Sequence, residues 1–170
     1  MTIRLATPAD VPDLLALVKR VVPLMQAAGN FQWDDTYPNA TVFGDDIAKQ
    51  QLWVADIDGQ LAGVSAITTD QEPTYAEVGW DIDEPAIVTH RLAVDPAFRG
   101  RGVAKALLLQ ADEVARQRGI PVLRIDTNTH NQVTQQLFPA LGYVYAGEIG
   151  LDFRPGLRFL CYEKRLNELV

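Results

Sequence analysis

The residues best placed to do chemistry lie in one stretch: Leu92-Ala93-Val94-Asp95-Pro96-Ala97-Phe98-Arg99-Gly100-Arg101-Gly102-Val103-Ala104. An apolar run stops at Asp95-Pro96, a short segment holds Gly100 and Gly102, and a helical pattern starts at Val103. Glycines let backbone N–H groups come close to a ligand, and a helix N-terminus adds unpaired donors and a positive dipole. Arg99, Arg101 and Lys105 bring positive charge to the same place. This arrangement suits an anion, and phosphate or pyrophosphate is the natural ligand. A nucleoside-triphosphate loop needs G-x-x-x-x-G-K-[ST], which this segment does not offer. A dinucleotide fingerprint needs a third glycine where Lys105 and Ala106 stand. Arg99, Gly102 and Ala104 fit R-x-x-G-x-A instead.

The elements that must hold this loop are legible from periodicity. Val103 to Arg118 carries Ala104, Leu107, Leu108, Ala111, Val114 and Ala115 on one face and ends at Gly119 and Pro121, so a helix is expected. Ala86 to Val94 and Val122 to Thr127 read as strands on either side of it, and Gln132 to Leu141 as a short helix containing Pro139. Tyr143 to Ile149 and Leu157 to Lys164 read as closing strands. Nearer the N-terminus, Thr2 to Ala6 is strand-like, and Thr7-Pro8-Ala9-Asp10 signals a helix start. Val11, Leu14, Leu15, Val18 and Val22 form its stripe; Pro23 is expected to break or kink it, and Gly29-Asn30 to end it. Asp58-Gly59 between Leu52–Ile57 and Leu61–Thr69 marks a hairpin, and a further strand is expected after Tyr75. Mixed strands and helices make this an α/β (α+β) sheet protein, residues 1–170 forming one domain.

Composition narrows the function. Lys+Arg 15 against Asp+Glu 22 gives a net charge of −7, which argues against a nucleic-acid partner because phosphate neutralisation needs a basic face. The lone Cys161 excludes an intrachain disulfide and a multi-cysteine metal cage, so no metal is expected. No apolar run reaches the roughly 20 residues of a membrane span, and Met1-Thr2-Ile3-Arg4-Leu5 lacks the pattern of a signal peptide. A cytoplasmic protein with no membrane partner is the expectation.

Taken with the sequence around it, the R-x-x-G-x-A segment resembles the GNAT superfamily of N-acyltransferases, which bind acetyl-CoA at such a loop. His90-Arg91-Leu92-Ala93-Val94-Asp95-Pro96 looks like that family's central strand. Ile125-Asp126-Thr127, Asn131 and Leu137-Phe138-Pro139-Ala140-Leu141-Gly142-Tyr143 look like its following strand, helix and turn. The likeness covers about Ala86 to Glu148. It implies a single mixed, mostly antiparallel sheet with a splayed central parallel strand pair, flanked by helices. It also implies acetyl-CoA as acyl donor, with Leu92, Ala93 and Val94 along the pantetheine and Arg99, Gly100, Arg101, Gly102, Val103, Ala104 and Lys105 around the pyrophosphate. Asn131, Gln135 and Phe138 would line the other wall. The implied chemistry is direct attack of an amine on the thioester in a ternary complex.

Roles within that frame rest on single residues. His90 stands where many relatives carry an acid, and its ordinary pKa near 6.5 suits a base for the amine proton. Strand alternation without a bulge would put it on the same face as Leu92 and Val94. Glu77 and Asp126 are rival carboxylates. The family's usual acid is a tyrosine where Phe138 stands, so the thiolate must be protonated by solvent or by Tyr143, Tyr145 or Tyr162. Trp33 and Tyr37 resemble the acceptor-side segment; Asp34, Asp35, Asp81, Asp83 and Glu84 lie in loops that could flank an acceptor mouth and attract a cationic amine, and ordinary solvated loop acids are equally expected there. Cys161 reads as a small core hydrophobe. The acceptor is a small-molecule or peptide amine, and the chain is a monomer or a homodimer. Two alternatives stay open: a non-catalytic acyl-CoA-binding module on the same fold, and a nucleotide-binding domain outside the family.

Overall fold

Positive φ at Asp58 (52°) and Gly59 (82°) folds β2 (Leu52–Ile57) back onto β3 (Gln60–Thr68), as the Asp-Gly signal requires. These strands belong to the computed structural model described here, which covers residues 1–167. The other elements are β1 (Thr2–Leu5), α1 (Val11–Ala27), α2 (Ala40–Ala48), β4 (Ile87–Val94), α3 (Val103–Arg118), β5 (Val122–Asn128), α4 (Gln132–Ala140), β6 (Val144–Leu151) and β7 (Arg154–Arg165). They build a seven-stranded sheet in the order β1-β2-β3-β4-β5-β7-β6. All neighbours are antiparallel except β4 and β5, which are parallel and pair only at Ile87–Leu123 and Val88–Arg124. Beyond that short pairing the two strands diverge. The mixed sheet with a splayed parallel pair is the architecture the sequence implied.

Each face of the sheet buries a separate layer. On one, Leu14, Leu17, Val18 and Val21 of α1 and Phe43 of α2 cover Leu52, Val54, Val64, Ala66 and Ala93. On the other, α3 and α4 place Leu108, Ala111, Ala115 and Phe138 over Ile67, Ile87, Leu123 and Ile125. Gly63 allows α3 to sit this close: a Cβ there would lie 2.6 Å from Val103 Cγ1 and 3.0 Å from the Ala93 carbonyl oxygen.

A bulge in β4 changes what the strand presents. Val64 faces Ala93 and Ala66 faces His90, so one β3 residue spans two of β4, and Arg91 takes φ 54°. The extra residue inverts the alternation on either side of it.

The structure departs from the sequence reading in three places. Of the two outcomes expected at Pro23, a break does not occur: α1 runs on to Ala27, Val21 and Val22 are buried beside Pro23, and Pro23 itself faces outward, so packing holds the helix through one missing bond. No strand follows Tyr75. Pro73–Val78 forms a 3-10 helix that ends at Gly79 (φ 84°), and Tyr75, Val78 and Trp80 pack over Val88, Ile149 and Phe159. Both edges of β4 are already taken by β3 and β5, so the segment covers the sheet instead of joining it. The helix α2 has no counterpart in the sequence reading; it contains Gly44, and its clearest signal is Asn39, whose side chain accepts from the Val42 amide at 3.0 Å.

Candidate active site

Where β4 and β5 part, a cavity of about 470 Å³ opens through the sheet. Thr89, His90, Arg91 and Leu92 line it from β4, and Ile125, Asp126 and Thr127 from β5. Trp33, Tyr37, Glu72, Phe153 and Arg154 contribute from one side, Asn131, Thr134 and Phe138 from the other. The bulge divides the β4 side chains. His90 lies opposite Ala66 on the α1 face, while Leu92 and Val94 pack with the α3 layer. The expectation of one shared face for His90, Leu92 and Val94 fails, and the extra residue at Arg91 is the reason.

The half-buried His90 is held by its Nε2–H, which donates to the Asp70 carbonyl at 2.9 Å. A carbonyl only accepts, so the neutral ring keeps its proton on Nε2 and leaves Nδ1 as the acceptor. Burial lowers the pKa below 6.5, so the ring is neutral at pH 7. On the same sheet face, Asp126 accepts a short hydrogen bond from the Tyr75 hydroxyl. Its pKa is raised to about 6, first by burial and then by Glu72, against the pull of that hydrogen bond. The Glu72 carboxyl is raised too, by burial and by Asp152, with Arg91 opposing.

Arg91 is fastened to α2. Its Nε donates to Asp46 Oδ2 at 2.7 Å and its Nη2 to Asp46 Oδ1 at 2.8 Å, while Nη1 is 3.4 Å from the Tyr37 hydroxyl. Arg154 donates from Nε to the Gln32 carbonyl at 2.7 Å and lies over the Tyr37 ring, 5.4 Å from its centroid. Both aromatics expected on the acceptor side, Trp33 and Tyr37, therefore reach the cavity.

The loop acids do not line the cavity, and Glu84 and Asp34 pair with arginines. Glu84 pairs with Arg124 and Arg165, the Asp81 carbonyl also serves Arg124, and Asp34 meets Arg154 at 3.5 Å; neither these nor Asp35 and Asp83 line the cavity. Arg124, 1% exposed, draws that loop to the far end of the sheet. Glu77 is exposed and borders a separate groove beside the β6–β7 turn. Glu72 and Asp126 are the cavity's carboxylates. Among the tyrosines, Tyr143 and Tyr162 are buried against Phe138 and Tyr145 lies on the surface, so none of the three reaches the cavity. Cys161 is fully buried and its thiol is pushed up to about 12, as befits a core residue.

The glycine loop lies outside this cavity. Gly100 and Gly102 both have φ 76°, and a Cβ on either would meet nothing within 4 Å, so backbone conformation and not crowding calls for glycine. Among the described residues, the N–H groups from Gly100 to Lys105 find no hydrogen-bond acceptor. Asp95 anchors the loop's start, accepting from Arg20 Nη2 at 2.6 Å and from the Ala97 amide at 2.9 Å. Open donors in a left-handed turn beside Arg99, Arg101 and Lys105 fit a pyrophosphate. At the other end Asn131 caps α4 by accepting from the Thr134 amide, and Gln135 turns away to donate to the Thr129 carbonyl at 2.8 Å. Phe138, Leu92 and Asn131 line the cavity; Ala93, Val94 and Gln135 do not. Sequence reasoning missed Glu72, Tyr75, Asp46 and Arg154, which reach the site from segments with no local motif.

Residues 18–143 match the model of the Acetyltransferase (GNAT) family, and the chain belongs to that family. An acetyltransferase of the same family from Streptococcus agalactiae superposes with TM-score 0.82 at 31% identity, covering 98% of this chain and 96% of that one. A Salmonella typhimurium structure with acetyl-CoA as its cofactor shares the fold at TM-score 0.70 and 19% identity, covering 100% and 96%. The N-acetylaspartate synthetase of Xenopus tropicalis is 25% identical over 118 residues, which are 69% of this chain and 40% of that protein. This chain thus spans well under half of that relative's length. No helix among the described residues is long and apolar enough to cross a membrane.

Proposed function

We propose that the protein transfers an acetyl group from acetyl-CoA to the amine of a small molecule or peptide, with donor and acceptor bound together. One observation carries this reading: a single cavity is lined from both faces of the sheet, with the open loop donors at the start of α3 on the donor side. Arg99 to Lys105 hold the pyrophosphate, and the β4 backbone from Leu92 to Val94 with Asn131 and Phe138 forms the pantetheine channel. Gln135, bonded to the Thr129 carbonyl, braces the loop before α4. Acetyl-CoA, when bound, supplies an activated thioester with a tolerable thiolate leaving group. A backbone amide of the Leu92–Val94 stretch polarises the thioester carbonyl. The acceptor enters from the α1 and α2 face, where Trp33 and Tyr37 shape its pocket.

An amine is mostly protonated near pH 7, so the protein must remove a proton before attack. His90 takes it at Nδ1, the nitrogen its bond to Asp70 leaves open. The inverted strand face serves this role, because it sets the base on the acceptor's side and Leu92 on the donor's. Asp126 is a second candidate base: it lines the same cavity with a pKa near the operating pH, about 6. Solvent protonates the departing thiolate, since Phe138 cannot. The test is acetyl-CoA turnover against amino acids, polyamines, aminoglycosides and peptide N-termini, amino acids being included because the synthetase relatives are named for N-acetylaspartate. An acceptor-dependent rate is expected, together with thermal stabilisation by CoA and not by ATP or NAD. Slow hydrolysis indifferent to every amine would overturn the transfer reading.

A further inference from the structure

The cavity carries charge of both signs, with Glu72 and Asp126 in its lining alongside Arg91 and Arg154. Both guanidiniums converge on Tyr37, Arg91 Nη1 at 3.4 Å from its hydroxyl and Arg154 at 5.4 Å from its ring centroid. Neither cation is fully engaged. Asp46 occupies Nε and Nη2 of Arg91, which leaves Nη1 with only the long contact to Tyr37. Arg154 spends Nε on the Gln32 carbonyl and stands 3.5 Å from Asp34, a carboxylate that also serves Thr36; its Nη2 has no acceptor among the described residues. The two side chains are only 17% and 21% exposed, and their open N–H donors can be taken up by a ligand's anionic acceptor through charge-assisted hydrogen bonds.

From these open donors we propose that the acceptor carries a carboxylate as well as its amine, the carboxylate held by Arg91 and Arg154 and the ammonium lying toward Glu72 and Asp126. An amino acid is the simplest molecule with that charge pattern. A polyamine or aminoglycoside fits badly, because a second ammonium would face two guanidiniums. The cavity volume of about 470 Å³ is in the range of small-ligand sites. The inference rests on the transfer reading and adds the acceptor's class to it.

The test compares kcat/KM for amino acids with that for their decarboxylated amines and methyl esters, for example phenylalanine, phenethylamine and phenylalanine methyl ester. The wild type should favour the free carboxylate by about 10–100-fold, the worth of a charge-assisted hydrogen bond. Arg154→Gln should bring that ratio to within about threefold of unity, and Arg154→Lys should keep part of it. The thermal shift produced by phenylalanine in the presence of CoA should also disappear in Arg154→Gln, which reads binding without turnover. CoA-dependent stabilisation of each variant reports that it is folded and holds the donor. Equal use of esters and acids by the wild type, or an undiminished preference in folded Arg154→Gln, overturns the inference while leaving the transferase reading intact. Failure of every amine to accept acetyl overturns both.

Discussion

The glycine loop and the cavity are built on opposite principles. The loop from Asp95 to Lys105 is one continuous stretch whose properties are backbone properties: left-handed glycines, an anchoring Asp95, open N–H groups at a helix start. The cavity is assembled from the end of α1, the segments around Trp33 and Glu72, both diverging strands, α4 and the start of β7. A backbone site tolerates side-chain drift and keeps one ligand chemistry. A side-chain site from scattered segments changes its acceptor whenever one segment changes.

The largest effect that probes this contrast is expected at the junction of the two regions. His90→Ala should lower turnover by about 10²–10⁴-fold at neutral pH with little change in CoA affinity, and rising pH should restore much of the loss by deprotonating the amine in solution. In the wild type, activity should rise as pH climbs through the depressed His90 pKa, below 6.5, because the neutral ring is the acceptor. A pH–rate profile of His90→Ala that merely scales the wild-type curve, or a loss under about threefold, moves the role to Asp126.

Next in size is the loop itself. Gly102→Val forces a β-branched residue to φ 76°, a strain of about 1–3 kcal/mol that the exposed loop relieves by leaving its donor geometry. CoA affinity should fall about 10–100-fold by calorimetry while the thermal midpoint stays near that of the wild type. Unchanged affinity in a folded Gly102→Val protein would remove the pyrophosphate assignment.

Asp126 sharpens the comparison from the cavity side, through stability. Its folded pKa, about 6, exceeds the ordinary carboxylate value of 3.8, so the native state binds that proton more tightly than the unfolded chain. Stability is therefore lost as pH rises from 3.8 to about 6, and the deficit persists above. Asp126→Asn should gain about 2 kcal/mol at pH 7.5 and little near pH 4, measured by urea denaturation at both. A gain independent of pH contradicts the burial account.

The smallest effect is expected at Phe138, 1% exposed and packed edge-on to Tyr162. With solvent protonating the thiolate, Phe138→Tyr should change turnover by less than about threefold. If Phe138→Ala abolishes turnover while CoA binding and folding survive, Phe138 does more than form a wall.

Local physics accounts for what was legible. Gly119 and Pro121 bound α3, Asp58-Gly59 sets the β2–β3 turn, and Gly100 and Gly102 shape the loop before α3, because each depends on residues within a few positions of one another. Periodicity alone also recovered β5 and most of α4. Pro23 shows the limit of such rules: the breaker is present, yet buried neighbours on α1 outweigh one absent hydrogen bond.

The sequence by itself determined the family, the sheet-and-helix order from Ile87 onward, the place of the glycine loop before α3 and the candidacy of His90, all carried by short-range spacing. Only the tertiary structure decided which face His90 occupies, since one residue inserted at Arg91 inverts the strand and nothing local marks it. It alone brought Glu72, Tyr75 and Asp126 together, set Arg91 and Arg154 on either side of Tyr37, and drew Asp81 and Glu84 off to Arg124. The physical reason is range: charge, burial and cavity shape are set by residues distant in sequence, and packing alone makes them neighbours.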